Sequence, residues 1–174
     1  MNVKIVGIGT SAEVYADAER LMERAFPAEE RRPTEQQRDY ADNNRYFHAT
    51  AIMTDNVFAG IMNYWDVEGA TYIEHLAVVE EMRGRGIASE ALRQLASMGR
   101  GIILEVEPPT DDVTRKRVKF YESNGFRMED VAYMQPSYAK GMPQVELKLM
   151  TQGIEGEVRN TIEDIRKKVY GVVS

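Results

Sequence analysis

The chain contains no cysteine. That excludes a disulfide framework and any thiolate nucleophile on the protein itself. Histidine is scarce, with only His48 and His75, so a histidine-rich metal site is excluded and no metal is expected. No apolar run is long enough to span a bilayer. Val3 to Ile8, the first apolar stretch, is too short for the core of a signal peptide. The expectation is a cytoplasmic protein with no membrane partner. Excess positive charge is also missing. The formal net charge of −6 argues against nucleic acid and fits a cationic ligand such as an amine. What remains is ordinary: 174 residues, 43% hydrophobic and 29% charged, which suits one domain with one well-buried core.

Hydrophobic spacing orders the elements. Val3 to Ile8 reads as a strand. Ser11 suits the N-cap of a helix carrying Val14, Ala18, Leu21, Met22 and Ala25, which Phe26-Pro27 ends. Pro33-Thr34 starts a short helix through about Ala41. Phe47 to Met53 and Val57 to Trp65 read as strands joined by a tight turn at Thr54-Asp55-Asn56. Thr71 to Val79 is a third. The next helix buries Ala88, Ala91, Leu92, Leu95 and Met98 and stops at Gly99 and Gly101. Gly101 to Glu107 is a strand, Asp112 to Asn124 a helix, and Phe126 to about Tyr138 pairs with Val145 to Met150. Val158, Ile162, Ile165 and Val169 mark an amphipathic C-terminal helix. The order implies an α/β (α+β) fold: a mixed, mostly antiparallel sheet of six to seven strands flanked by helices. Residues 1–150 form the main domain, and 151–174 supply a helix packed on it.

Arg83-Gly84-Arg85-Gly86-Ile87-Ala88-Ser89 carries the most information. It follows the apolar run Tyr72 to Val79 and opens the amphipathic segment Ser89 to Met98. The first amides of a helix have no internal acceptor, and the helix dipole is positive there. Gly84 and Gly86 let a phosphate approach the backbone, and Arg83 and Arg85 add cations suited to it. The turn points to a phosphorylated cofactor.

In the helix Asp112 to Asn124, Val113 and Phe120 share one side, while Thr114, Val118 and Tyr121 share another. Such a helix is sandwiched or faces a ligand. Tyr121 is either a proton donor at that ligand or a core tyrosine.

Tyr72-Ile73-Glu74-His75-Leu76-Ala77-Val78, followed by Arg83-Gly84-Arg85-Gly86-Ile87-Ala88, resembles the acetyl-CoA signature of the GNAT superfamily, the Gcn5-related N-acetyltransferases. Phe120-Tyr121-Glu122-Ser123-Asn124-Gly125-Phe126 resembles its second signature. The resemblance covers roughly Thr50 to Met150. Phe26-Pro27-x-x-Glu30-Arg31-Arg32 and the C-terminal helix are similar to a bacterial subgroup. It implies acetyl-CoA as cofactor and a small-molecule or peptide amine as acceptor, and leaves room for a homodimer. Amides of Gly84, Arg85, Gly86, Ile87, Ala88 and Ser89, with the Arg83 and Arg85 side chains, would hold the pyrophosphate. The backbone of Leu76, Ala77 and Val78 would pair with the pantetheine arm. An amide near Val78 would polarise the thioester carbonyl, and Tyr121 would protonate the leaving thiolate. An amine attacks only when neutral, so a base is needed. Glu74 and His75 are the candidates, and strand alternation favours Glu74, whose parity matches Leu76 and Val78. Thr114 stands where many relatives carry Asn, and Arg117 where they carry a small residue. Thr114 would replace the Asn contact, and Arg117 would reach the 3′-phosphate or an acidic residue.

Other readings compete. Gly84-x-Gly86 opening a helix, with Glu105 about twenty residues on, is also the pattern of a dinucleotide module. Against that, Glu80 to Arg83 separate the strand from the first glycine. A non-catalytic acyl-CoA sensor on the same fold is the third reading.

Overall fold

Asp55 and Asn56, both left-handed with φ of 50° and 67°, turn the chain between β3 (Thr50–Thr54) and β4 (Val57–Val67). Short polar side chains tolerate that conformation, and it matches the strand twist. The computed structural model describes residues 1–173. Its remaining strands are β1 (Val3–Gly7), β2 (Phe47–His48), β5 (Ala70–Val78), β6 (Gly101–Val106), β7 (Arg127–Met128), β8 (Tyr133–Gln135) and β9 (Val145–Gln152). The helices are α1 (Tyr15–Ala25), α2 (Thr34–Asn43), α3 (Ile87–Ala96), α4 (Asp112–Ser123) and α5 (Arg159–Lys168).

The sheet runs β1-β3-β4-β5-β6-β9-β7, with β2 beside β4 and β8 beside β9, nine strands in all. This is the expected mixed, mostly antiparallel sheet, and its long path has the expected size. Among the described residues only β5 and β6 pair in parallel, joined through α3. A dinucleotide fold needs a parallel sheet with repeated crossovers, so that alternative falls.

Each face of the sheet carries its own core. On one, Tyr15, Ala18, Leu21 and Met22 of α1 and Ile165 of α5 meet Trp65 and Tyr72. On the other, Ile87, Ala91, Leu92 and Leu95 of α3 and Val118 of α4 meet Ile52, Ile102 and Leu104. Each such buried aliphatic side chain contributes roughly 1.5–3 kcal/mol. Thr161 of α5 donates to the Glu68 carbonyl at 2.8 Å, and Asp164 accepts from the Glu68 amide at 2.8 Å.

Local expectations need correction in places. Helix α1 begins at Tyr15 after Val14, with no side-chain cap, because turns that close Ala12 on Gly9 and Tyr15 on Ala12 precede it. Ser11 lies outside the helix. The strand expected from Phe47 to Met53 breaks at Ala49. Met98 falls beyond α3 and is 66% exposed, while Ala88 is half-buried. No helix among the described residues is long and apolar enough to cross a membrane.

Candidate active site

Strands β5 and β6 pair only from Ala70–Gly101 to Ile73–Leu104, then diverge. The cause lies in β5. Asn63 of β4 faces His75 and the next residue, Tyr64, faces Ile73, so Glu74 has no partner. It is the extra residue of a β-bulge, which bends its strand and re-aims its side chains. Gly60 permits the close approach of β4 beyond the bulge: a Cβ there would stand 2.3 Å from the Ala77 carbonyl.

The bulge overturns the parity argument. Tyr72 packs in one core and Ile73 in the other, yet Leu76 and Val78 pack on the Ile73 side. Alternation therefore slips by one across Glu74. Glu74 and His75 both reach the α1 side of the sheet, where Glu74 meets Arg32, Trp65 and Tyr138 and His75 meets Phe26 and Tyr138.

The ladder also sorts the backbone beyond the bulge. The Val79 amide donates to the Ala59 carbonyl at 2.8 Å. Antiparallel pairs alternate between exchanging hydrogen bonds and facing outward. Ala77, opposite Ile61, thus spends its polar groups on β4, while Leu76 and Val78 turn theirs toward the gap left by β6. Ala77 was expected to pair with a ligand arm; of the three residues, only Leu76 and Val78 present N–H and C=O groups there.

The gap widens into a cleft of about 850 Å³. At one end Gly86 caps α3 with φ 77° and no side-chain cap. Among the described residues, nothing accepts from the Gly84 to Ser89 amides. Gly84 is likewise left-handed at φ 78°, and a Cβ on either glycine would meet nothing within 4 Å. These glycines serve backbone conformation. Arg83 lines the cleft, its Nε donating to the Val78 carbonyl at 3.2 Å. Every residue expected in the site lines the cleft except Arg85 and Thr114. The Arg85 side chain turns back to the Glu81 carbonyl at 3.4 Å. Thr114 is buried, its hydroxyl 2.8 Å from the Asp111 carboxylate in a capping box that starts α4. Its hydroxyl is committed to the helix end, so it does not replace the expected Asn contact.

Helix α4 forms the opposite wall with Val113, Lys116, Arg117, Phe120 and Tyr121. The Tyr121 ring packs edge-on against Phe120 and Phe126, at 5.2 and 5.5 Å between centroids. Its hydroxyl bonds no other group among the described residues. Burial pushes that hydroxyl up to about 12, so it is a protonated donor at neutral pH. Arg117 reaches Glu107 at 3.4 Å, the acidic-residue option of the two expected for it.

Glu74 does not look like a base. It is fully buried and ion-paired with Arg32, also buried. The Trp65 indole donates to it at 2.9 Å and the Tyr138 hydroxyl at 2.6 Å. Burial alone would raise its carboxyl, but the Arg32 charge and the donated hydrogen bonds outweigh that and hold it low. A carboxylate that gives up its charge so reluctantly is poorly matched to taking a proton. The guanidinium of Arg32 lies over Tyr40, Phe47, Trp65 and Tyr138, at 5.1 to 5.6 Å from their centroids. His75 is buried and its imidazole lowered by that burial, hence neutral. Its Nε2 donates to the Glu30 carbonyl at 2.8 Å, while Nδ1 is a buried acceptor with no partner among the described residues.

Glu105, the ribose-acid candidate of the dinucleotide reading, sits in a cage. It accepts from Tyr72 at 2.5 Å, Tyr170 at 2.8 Å, Gln135 at 3.0 Å, and from Tyr133. Burial nevertheless raises its carboxyl.

Sequence reasoning did not single out Lys116, Gln135 or Tyr138, which line the cleft. Lys116 had a signal: it sits three residues after Val113, on the face that Val113 and Phe120 define. Gln135 ends β8 and Tyr138 follows it; the stretch Tyr133 to Met142 was expected near the acceptor, but no local spacing singles out these two side chains. Among the described residues, no group of acids and histidines could hold a metal ion.

A split parallel strand pair, a glycine turn at a helix start and a facing helix define an α+β protein with one long cleft edged by bare backbone. The chain belongs to the acetyltransferase (GNAT) family, whose model matches residues 12–126. It is similar to a solved structure assigned to that family from Bacteroides thetaiotaomicron, at 32% identity and a TM-score of 0.90, covering 98% of this chain and 99% of that one. It is 28% identical over 82 residues to the Bacillus subtilis protein YjbC, named as an acetyltransferase, covering 45% of this chain and 43% of YjbC, so the match spans less than half of that relative. An Elizabethkingia anophelis family member solved with acetyl-CoA bound shares the fold at 14% identity and a TM-score of 0.60, covering 88% of this chain and 99% of that one.

Proposed function

We propose that this protein is an acetyl-CoA-dependent N-acetyltransferase that moves the acetyl group to a primary amine by direct attack, with both substrates bound at once. The observation that carries the reading is the continuity of one cleft from the free amides at the start of α3, along the outward-facing Leu76 and Val78 edge, to the Tyr121 hydroxyl. The residues present fit coenzyme A. Open space over Gly84 and Gly86, with Arg83 next in the turn, suits a pyrophosphate. Leu76 and Val78 would hold an amide-bearing arm as a neighbouring strand would.

The cofactor supplies an activated thioester. This chain supplies the rest. The Val78 amide would donate to the thioester oxygen, an interaction worth roughly 3–4 kcal/mol in other acyl-transfer sites. Tyr121 would donate its proton to the departing sulfur. Phe26, Tyr138, Val145 and Leu147 form an apolar wall for the acceptor, a small molecule or the amine of a peptide. Residues 1–150 and the C-terminal segment that carries α5 act as one unit, a reading supported by Tyr170, which donates to Glu105 in the cleft wall.

The test is calorimetric titration with coenzyme A, followed by thiol release from acetyl-CoA with spermidine, tryptamine and a short peptide with a free N-terminus. Binding together with amine-dependent thiol release is the expected result. Binding without release for any amine would make the protein a sensor, and no binding would remove the reading altogether.

A further inference from the structure

The cleft is lined by Glu30, Glu74, Glu105 and Glu107. All but one are spoken for. Glu74 is neutralised by Arg32. Glu105 is enclosed by tyrosine hydroxyls and Gln135. Glu107 pairs with Arg117 at 3.4 Å. The Glu30 carboxylate forms no ion pair and accepts no hydrogen bond among the described residues.

Its position is nonetheless fixed. Glu30 ends a 3-10 turn, Ala28–Glu30. That turn is pinned to the bulge from below, because His75 donates to the Glu30 carbonyl at 2.8 Å. Next to it, Arg31 Nε donates to the Phe26 carbonyl at 2.9 Å, and Arg32 closes on Glu74. The charged run Glu30-Arg31-Arg32 is thus a clamp that ties the acceptor wall to β5 and leaves one carboxylate pointing at unfilled space. From its own turn Glu29 faces Glu30; from β6 and the segment after it, Glu105 and Glu107; from α4, Arg117. Arg24 and Lys116 line the same cleft, and neutral His75 lies beneath.

We infer that Glu30 is the general base of the transfer, taking the proton of the acceptor's ammonium group as it enters between Phe26 and Tyr138. The inference rests on the acetyltransferase reading above. In the step, an N–H bond of the ammonium breaks and its proton passes to the Glu30 carboxylate. The nitrogen lone pair then forms the C–N bond as the C–S bond breaks. Tyr121 protonates the sulfur, and the second proton lost from nitrogen restores Tyr121. Glu30 releases its proton to solvent, so one proton leaves overall. Burial and the facing Glu107 carboxylate push the Glu30 carboxyl upward, toward a range where it can hold a proton. His75 is a positioning residue, holding the turn through backbone.

The experiment is a pH series of kcat and KM from pH 6 to 9.5, using whichever of spermidine, tryptamine or the free-N-terminus peptide the wild type acetylates best. The proteins are wild type, Glu30→Gln, Glu30→Asp and His75→Gln, each first checked for coenzyme A affinity. Glu30→Gln is expected to lose about 10²–10⁴-fold in kcat near neutral pH, with the deficit shrinking as pH approaches the amine's own pKa. Glu30→Asp should fall between it and wild type. If Glu30→Gln fails to bind coenzyme A, Glu30→Asp carries the test with the same pH signature. His75→Gln should raise KM more than it lowers kcat. Unchanged kcat in Glu30→Gln, a rise in KM alone, or a loss uniform across pH each overturns the base assignment while leaving the enzyme reading intact. A wild type that acetylates none of the amines overturns both.

Discussion

Arg32, two residues beyond the turn that carries Glu30, closes on Glu74, the one residue that β5 carries in excess of β4. A side chain far away in sequence thereby holds the backbone irregularity from which the cleft opens. Both partners are buried, so neither can fall back on water if the other is removed.

Arg32→Met should therefore be costly. Removing one partner of a buried ion pair leaves an uncompensated charge and typically destabilises by about 3–5 kcal/mol. The double variant Arg32→Met with Glu74→Gln should recover part of that loss. Thermal unfolding of the three proteins measures it. A single variant within about 0.5 kcal/mol of wild type, the scale of ordinary surface changes, would show that the aromatic rings, not the charge, hold the bulge.

The same pair sets a pH dependence. A carboxyl held low in the folded state stabilises fully above its unfolded value, about 4.3, and that stability is lost as pH falls through the lower folded value. Melting temperature should drop more steeply for wild type than for the double variant between pH 5 and about pH 3. Parallel curves would sink the assignment.

Tyr121→Phe keeps the ring between Phe120 and Phe126 and removes only the hydroxyl. Coenzyme A affinity should be unchanged and kcat should fall by about 10²–10⁴-fold. Wild-type kcat, measured where chemistry limits turnover, would reduce Tyr121 to a packing residue.

Gly86 separates two explanations for a glycine turn. With φ 77° and open space around a built Cβ, the position restricts backbone conformation and not bulk. Valine is strained there, and asparagine tolerates left-handed backbone. Gly86→Val should weaken coenzyme A binding at least about tenfold, or 1.4 kcal/mol, while Gly86→Asn keeps most of it. Equal losses would mean that any side chain obstructs the ligand.

Much of this site was legible in the chain, and the illegible part has a specific origin. The turn at Gly84 and Gly86 and the α4 face bearing Tyr121 announce themselves, because glycine placement and helical spacing are local signals. The bulge is a matter of register between two strands. Nothing in Ile73-Glu74-His75-Leu76 says that one residue will go unpaired, so alternation pointed to Glu74 as base and split it from His75. Thr114 misled for a related reason: Asp111 is the true cap of α4, and a hydroxyl at that spacing serves the helix end. Ser11 failed because two successive turns, Ala12 onto Gly9 and Tyr15 onto Ala12, intervene before the helix.

The outward-facing backbone of Leu76 and Val78 has a consequence for how this protein can change. Peptide groups are nearly the same whatever side chain they carry, so the β5 edge of the cleft is written in atoms that most substitutions leave in place. Another wall is written in side chains, Phe26, Glu30, Tyr138 and Val145 among them. If the proposed function holds, drift on that wall would change the acceptor while leaving the β5 edge intact.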